Sequence, residues 1–230
     1  MNNRHLIVPA LLATLVAGSA LAASVPDGQL LLDVDFAPRD IAQVEIGDFH
    51  FRPGQVAPIH THAAPAIGYV SKGTIYYQVE GMPAQILKAG DAFYEPVGPK
   101  ILHFDNASKT DEAVFTDFNL EQAGEPFIKF DRPPTEKIDR RSFPTAPIVA
   151  AQVNGAVAHA IDVAAQKPLV RNFEGALVGY VARGSVVLTV DGGTRQLIAQ
   201  GRSFAAPAGG VTRIAAQGTT ARVVTFELKR

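Results

Sequence analysis

Three histidines give this sequence its clearest chemical signal. His60 and His62 are separated by a single residue, and His103 follows further along the chain. Because side chains alternate along a β-strand, His60 and His62 would point to the same face of one strand, and an imidazole from a later strand could complete a metal site. The chain has no cysteine, which excludes disulfides, thiolate metal sites and a cysteine nucleophile. Any chemistry therefore rests on histidine, carboxylate, tyrosine and hydroxyl groups.

Short β-type runs separated by glycine and proline surround these histidines. The runs at 74–80, 115–120 and 185–190 are typical, and the chain shows almost no helical periodicity beyond residue 40. With 47% hydrophobic residues the chain can bury a core, so general disorder is excluded. The pattern predicts an all-β fold of the barrel or sandwich type.

The β-type region contains an internal repeat. The segment IGYVSKGTIYYQVEG at 67–81 matches VGYVARGSVVLTVDG at 178–192, an offset of 111 residues. Beyond Gly98 the sequence match shifts to an offset of 109, where Val114 aligns with Val223. The first copy then holds two extra residues somewhere after Gly98. Two small β domains built from one duplicated unit explain this pattern most simply.

The glycine and histidine spacings resemble the two motifs of the cupin superfamily. The first frame reads G-x5-H-x-H from Gly54, and the second reads G-x5-P-x-G from Gly90. Since each repeat covers one motif pair, the resemblance spans essentially the whole mature chain. It implies two cupin-type barrels, also called double-stranded β-helices or jelly rolls. It also implies a metal held by His60, His62 and His103.

The sequence departs from the family pattern in two places. The glutamate expected three or four residues after the second histidine is missing, because Ala66 and Ile67 stand there. His103 lies two residues later than the motif places it, but an even insertion keeps strand parity, so His103 is still expected to face inward. Cupins with three histidine ligands are mostly iron-dependent dioxygenases. The resemblance therefore implies a divalent transition metal, iron first, with zinc, manganese, copper and nickel as alternatives.

The second copy lacks these histidines and indicates which other residues could serve the site. It carries Arg171 and Phe173 where the first copy has the histidine pair. It is therefore predicted to be a degenerate, structural barrel. Tyr77 and Glu95 are polar only in the histidine-bearing copy, which makes them candidates for substrate contact or proton transfer. The alternatives are that Tyr77 packs in the core and that Glu95 is solvated beside Pro96. A Glu95 that faces inward would supply a further ligand.

The N-terminal segment is typical of a secretory signal peptide. Residues 1–23 have a basic residue near the start, an apolar run and small residues at the end. An uncleaved membrane anchor is the alternative, because the run at 6–23 is at the short edge of what spans a bilayer. Pro9 and Gly18 interrupt the run, which favours cleavage. We therefore expect a periplasmic or secreted protein that does not contact the membrane after cleavage.

The remaining chain divides into three predicted parts. Residues 24–122 form the barrel with the metal site, 123–148 form a linker dense in proline and charge, and 149–230 form the degenerate barrel. The formal net charge of -1, from 21 basic and 22 acidic residues, gives no basic excess for nucleic-acid binding. The expected partner is a small molecule, and a homo-oligomer is compatible with the sequence.

The leading functional hypothesis is a metal-dependent oxidoreductase of dioxygenase type acting on a small oxygenated organic molecule. Neutral imidazoles leave the charge of the metal available to bidentate anions, with open positions for water or O2. A protein exported unfolded collects its metal where zinc and copper outcompete iron at nitrogen ligands. Two alternatives are therefore kept: a non-catalytic periplasmic module that binds or senses a metal or small ligand, and a zinc-type hydrolase or isomerase.

Overall fold

The fold is entirely β in the residues that the computed structural model describes, which are 28–142, 148 and 150–230. The predicted signal peptide at 1–23 lies outside them. No helix in this part of the chain could cross a bilayer. The first eleven strands are β1 (Gln29–Ile41), β2 (Gln43–Phe51), β3 (His60–Thr61), β4 (Ala66–Lys72), β5 (Thr74–Val79), β6 (Gln85–Lys88), β7 (Ala92–Glu95), β8 (Ile101–Asn106), β9 (Ala113–Glu121), β10 (Lys129–Phe130) and β11 (Asp139–Ser142). The remaining strands are β12 (Ala150–Ala164), β13 (Leu169–Asn172), β14 (Leu177–Arg183), β15 (Ser185–Val190), β16 (Gln196–Ala199), β17 (Ser203–Ala206), β18 (Val211–Ala216) and β19 (Thr220–Lys229).

Each half of the chain forms a barrel from two sheets. In the first half the strand orders are β11-β2-β9-β4-β7 and β10-β3-β8-β5-β6, and in the second half they are β1-β12-β19-β14-β17 and β13-β18-β15-β16. The two halves use the same antiparallel pairing scheme, since β4 pairs with β7 and β9 as β14 pairs with β17 and β19. The predicted all-β class with two barrels of this type is confirmed.

The strand register corrects the expected alignment of the two copies. Ile67 pairs with Phe118, and the equivalent Val178 pairs with Phe226, so the offset here is 226 − 118 = 108 rather than 109. Compared with the offset of 178 − 67 = 111 earlier in the repeat, the first half therefore holds three extra residues instead of two. The sequence alignment matched residue types, whereas the hydrogen-bonded pairing fixes which residues occupy equivalent places. Val223 consequently corresponds to Phe115.

The two barrels exchange strands. β1 precedes the first barrel in sequence but pairs with β12 of the second, and β11 precedes the second barrel but pairs with β2 of the first. The segment expected as a linker at 123–148 thus supplies β10 and β11 to the barrel that carries the histidines. We call its described part, 123–142, the interbarrel segment.

Three clusters of buried apolar side chains lie within the part of the chain that the structure describes. The interior of the first barrel is rich in phenylalanine, and that of the second barrel is mainly aliphatic. The third cluster joins the outer faces of the large sheets, where the Phe118 and Phe226 ring centroids are 5.3 Å apart. In the first barrel, a Cβ on Gly68 would lie only 2.2 Å from Cζ of Phe93, so glycine lets this ring cross the strand. The same contact recurs in the second barrel.

Candidate metal centre

The histidine pair lies at the short strand β3, on the inner side of the first barrel. His60 and His62 are 4% and 2% exposed, and their ring centroids are 5.3 Å apart. As predicted from strand alternation, both rings point to the same side. The Nδ1 of His60 is 2.8 Å from the Pro58 carbonyl oxygen, which requires Nδ1–H to donate. This hydrogen bond leaves Nε2 of His60 as the free lone pair, the usual arrangement of a metal-binding histidine.

Glu95, at the end of β7, brings a carboxylate to the same place. Its side chain is buried, with Oε2 at 3.2 Å from Nε2 of His62 and Oε1 at 3.7 Å from Nε2 of His60. One potential ligand atom from each of the three residues lies within 4.8 Å of the other two. Two imidazoles and one carboxylate therefore converge on one point inside the barrel.

The polar atoms of this cluster fit a bound cation. Oε1 of Glu95 and both ring nitrogens of His62 are buried without a well-formed hydrogen bond, although Nε2 of His62 faces Oε2 of Glu95 at 3.2 Å. Buried polar atoms without partners are costly and rare, and an ion between them would satisfy them. Two histidine nitrogens and one carboxylate oxygen are ordinary ligands of a divalent transition metal.

The charges within the cluster shift its pKa values in opposite directions. Burial lowers the pKa of His62, but the charges of Glu95 and Asp117 and the polar contacts with Glu95 and Asn119 together outweigh burial, so the pKa of this imidazole is raised. Burial raises the pKa of Glu95, but His62 and His60 outweigh it and hold that pKa below the usual carboxyl value. Glu95 is thus anionic at neutral pH, ready to bind a cation.

The structure does not bring His103 to this cluster, which corrects the expected ligand set. Its side chain is 42% exposed, with Nδ1 at 2.7 Å from Oδ2 of Asp105 and its ring centroid 5.0 Å from that of Tyr76. Gln78 pairs with His103 but the next residue of β5 pairs with Ile101, so β8 carries a bulge between them. One residue of the insertion lies within the strand, which reverses side-chain parity and turns His103 outward.

Glu95 takes the place of the glutamate that the motif lacks. It is the direct cross-strand partner of Ala66, the position where the motif would place its carboxylate. Side chains directly opposite each other in an antiparallel pair lie on the same face with their Cβ atoms about 4.5 to 5.5 Å apart. The carboxylate has therefore moved to the neighbouring strand while keeping its place inside the barrel. The corresponding residue of the second barrel is Ala206. The comparison of the two copies in the sequence therefore already indicated that Glu95 is special to the barrel with the histidines.

Tyr77 occupies the core rather than the space beside the metal ligands. It is 3% exposed and packs against Phe93 and Phe104. Its hydroxyl donates to the Tyr94 carbonyl oxygen at 2.5 Å, and burial raises its pKa. The structure places its hydroxyl against the main chain, which favours the packing interpretation over proton transfer.

A cavity of about 280 Å³ opens beside His60 and Glu95. Its walls are mostly apolar and include six phenylalanine rings, four from strands β2, β8 and β9 and two from the interbarrel segment. The lining residues are Phe49, Phe51, Ala57, His60, Glu95, Phe104, Phe115, Asp117, Phe127, Ile128, Phe130, Pro134, Ile138 and Arg140. The last six of these in sequence belong to the interbarrel segment, so that segment closes one side of the site.

Three polar residues near this cavity were not predicted from the sequence. Asp117 is buried on β9, and burial first, then the charge of Glu95, raise its pKa well above the usual value. Asn119, two residues on, donates from Nδ2 to the Phe127 carbonyl at 2.5 Å and so holds the interbarrel segment against β9. Arg140 reaches the cavity from β11. Asp117 and Asn119 alternate with apolar residues in a buried strand, a sequence pattern that could have identified them as polar residues inside the barrel. No sequence pattern identified Arg140.

The equivalent place in the second barrel contains an ion pair. Nη2 of Arg171 is 3.0 Å from Oε2 of Glu227, and the guanidinium carbon is 4.9 Å from the centroid of the Phe173 ring. Within the described residues, only the first barrel holds a group of three potential metal ligands. The arrangement agrees with a structural role for the second barrel.

Comparison with known proteins supports the cupin assignment for the first barrel. Residues 47–119 match the cupin domain family. No curated protein matches the chain at a significant level. The matched region contains the histidine pair and Glu95, and ends on the strand that carries Asp117.

Solved structures extend the likeness over both barrels. AerE from Microcystis aeruginosa is 13% identical with a TM-score of 0.57, and the match covers 85% of this chain and 99% of AerE. Salicylate 1,2-dioxygenase from Pseudaminobacter salicylatoxidans is 15% identical with a TM-score of 0.54, covering 81% of this chain and 71% of the enzyme. A variant of that dioxygenase in complex with gentisate gives 15% identity, a TM-score of 0.53, and coverage of 81% and 69%. At such identities the likeness establishes a cupin-type fold.

Proposed function

We propose that this protein is a metal-dependent oxidoreductase of dioxygenase type that acts on a small, oxygenated aromatic molecule. The observation that carries the proposal is the convergence of His60, His62 and Glu95 beside a cavity walled by phenylalanine. The ligand set supports a bound transition metal and oxidoreductase chemistry. The size and lining of the cavity support an aromatic substrate.

The donor set favours iron. Two histidines and one carboxylate, with further coordination positions open, form the ligand set typical of non-haem Fe(II) oxygenases. When bound, such a metal acts as a Lewis acid toward oxygen ligands and activates O2. This set differs from the three histidines expected from the sequence, since Glu95 adds one negative charge. Zinc, manganese, copper or nickel would use the same three side chains.

The residues around the metal ligands have separate tasks. The Pro58 carbonyl orients the His60 ring, and the phenylalanine walls exclude water from the cavity. Asp117 lines the same cavity, and burial together with the charge of Glu95 raises its pKa well above the usual carboxyl value, which favours the protonated form. A protonated carboxyl group can donate a hydrogen bond to an oxygen of the substrate.

The size and walls of the cavity suit a single aromatic ring. Flat apolar walls favour stacked or edge-on contacts with a planar ligand. Cavities that bind small molecules are mainly apolar with a few placed polar groups, as here. The similarity of fold to a salicylate dioxygenase, which has been solved with gentisate, supports an aromatic substrate for this chain as well.

Export and compartment belong to the same proposal. The pattern of residues 1–23 supports secretion or residence in the periplasm. The duplicated arrangement would then leave the first barrel as the catalytic unit and the second as its structural partner.

Metal analysis followed by oxygen uptake tests this function. Protein isolated from its native compartment is expected to contain iron and to consume O2 with catechols or hydroxybenzoates, and less with 1,3-diketones. The His62→Ala variant should lose both metal and oxygen uptake, whereas Arg171→Ala, which alters the equivalent position of the second barrel, should keep both. Stoichiometric zinc with no oxygen uptake would overturn the oxidoreductase proposal and favour a binding or sensing module. Absence of any bound metal would overturn the site.

A further inference from the structure

The interbarrel segment places the cation Arg140 in the wall of a mostly apolar cavity. Arg140 lies on β11, where it pairs with Phe49 of β2, and its guanidinium carbon is 3.8 Å from the centroid of the Phe127 ring. Stacking on aromatic rings holds a guanidinium flat and leaves its N–H edge free for ligands. Because β11 pairs with β2 of this barrel, the interbarrel segment itself positions the charge.

The hydrogen-bonding capacity of Arg140 is only partly used. Its Nη2 donates to Oε1 of Glu45 at 2.5 Å, whereas its Nε is buried without a partner. A guanidinium has five N–H donors, so a second anion can bind without displacing the first. A buried N–H that lacks an acceptor is unusual and indicates a group that a ligand would complete.

Gly47 lets the guanidinium of Arg140 pack closely against β2. A Cβ at this position would lie 3.0 Å from Nε of Arg140, 3.1 Å from Cζ of Phe127 and 2.7 Å from Cε2 of Phe49. The guanidinium and the two rings can therefore lie against β2 because residue 47 has no side chain, and a larger residue would displace them.

We propose that the cavity selects aromatic molecules carrying a carboxylate, and that Arg140 is the specificity-determining residue that binds this carboxylate. This inference rests on the proposed function only in taking the cavity as the substrate site. An aromatic ring would lie among the phenylalanines with its carboxylate on the N–H edge of Arg140. The ring would then present its oxygen substituents to the side of the cavity formed by His60 and Glu95, which line the same space. The charge on one ring substituent would thus fix which part of the ring faces the metal.

The test uses benzoate and benzamide, which share size and shape and differ in charge. Isothermal titration calorimetry on the full chain is expected to show benzoate binding more tightly than benzamide. Arg140→Gln should weaken benzoate binding by about 10- to 100-fold, the range for losing a hydrogen bond to a charged group, and leave benzamide nearly unchanged. Arg141→Gln is the matched control, since Arg141 is the next residue on β11, is largely exposed and pairs with Asp139.

A second variant changes affinity in the opposite direction, which misfolding cannot imitate. Glu45→Gln removes the negative charge that partly neutralises Arg140 and should strengthen benzoate binding severalfold. Equal affinity of wild type for benzoate and benzamide, or unchanged benzoate affinity in Arg140→Gln, would overturn the inference. Repeating the titrations after chelation separates the two proposals, because the Arg140 effect is expected to persist without metal. An Arg140 effect in a protein that consumes no oxygen would support this inference and contradict the proposed function.

Discussion

Replacing Glu95 by alanine is expected to remove most of the metal affinity, although sequence motifs alone favoured His103 for this role. Glu95 supplies the anionic ligand within 4.8 Å of the two imidazole nitrogens. Mutation of groups that merely orient metal ligands costs about 10- to 100-fold in affinity, so losing a ligand should cost at least about 100-fold. His103→Ala, which removes an exposed imidazole on the outside of β8, should leave affinity unchanged.

The loss can be measured as a change in thermal stability. With Zn²⁺ at 100 times its Kd, binding stabilises the native state by about 2.7 kcal/mol. For a chain of this length that corresponds to a rise in Tm of about 5 to 11 °C. If Glu95→Ala raises Kd by about 100-fold, the same Zn²⁺ concentration adds only about 0.4 kcal/mol, or about 1 to 2 °C. Differential scanning calorimetry with metal analysis of the dialysed protein measures both quantities.

Placing a glutamate at position 66 instead of position 95 should restore part of the metal affinity. Ala66 is opposite Glu95 and faces the same interior, so the double variant Glu95→Ala with Ala66→Glu should recover at least a tenfold part of the lost affinity. The reasoning fails if Glu95→Ala binds Zn²⁺ like wild type, or if His103→Ala loses as much affinity as Glu95→Ala. Arg171→Ala, at the second-barrel position that corresponds to His60, serves as the control for removing a charged side chain.

Three further outcomes follow from the same geometry. Since Glu95 and the other polar neighbours of His62 together outweigh burial and raise the pKa of this ring, Zn²⁺ must displace a proton from it. Metal affinity should therefore fall as pH drops through the raised pKa, with proton release measured by calorimetry in two buffers. In the metal-free protein the same shift adds stability that is complete below the usual histidine pKa and is lost as pH rises through the raised one. Tyr77→Phe should lower the free energy of unfolding, measured in urea, by about 0.5 to 1.5 kcal/mol, because the hydrogen bond to the Tyr94 carbonyl is lost. Turnover should stay at the wild-type level. Reduced turnover at unchanged stability would indicate a catalytic role for Tyr77. Gly68→Ala should destabilise by about 1 to 3 kcal/mol, because its Cβ would lie 2.2 Å from Cζ of Phe93, and wild-type stability would contradict this close packing.

The sequence by itself determined the features that depend on local patterns. Alternation along a strand placed His60 and His62 on one face, and repeated glycines and apolar runs identified two β units with chemistry in the first. The absence of cysteine restricted the ligands to histidine and carboxylate. These inferences held because each depends on neighbouring residues or on a repeat visible in the chain.

The tertiary structure decided the features that depend on register between strands. A bulge in β8 turned His103 outward, and cross-strand pairing put Glu95 opposite Ala66, where it completes the metal ligands. Strand exchange brought Arg140 from the predicted linker into the cavity wall. Parity along one strand can be inferred from sequence, but the position of a single extra residue, and the partner that each strand selects, are set by hydrogen bonding and packing across the barrel.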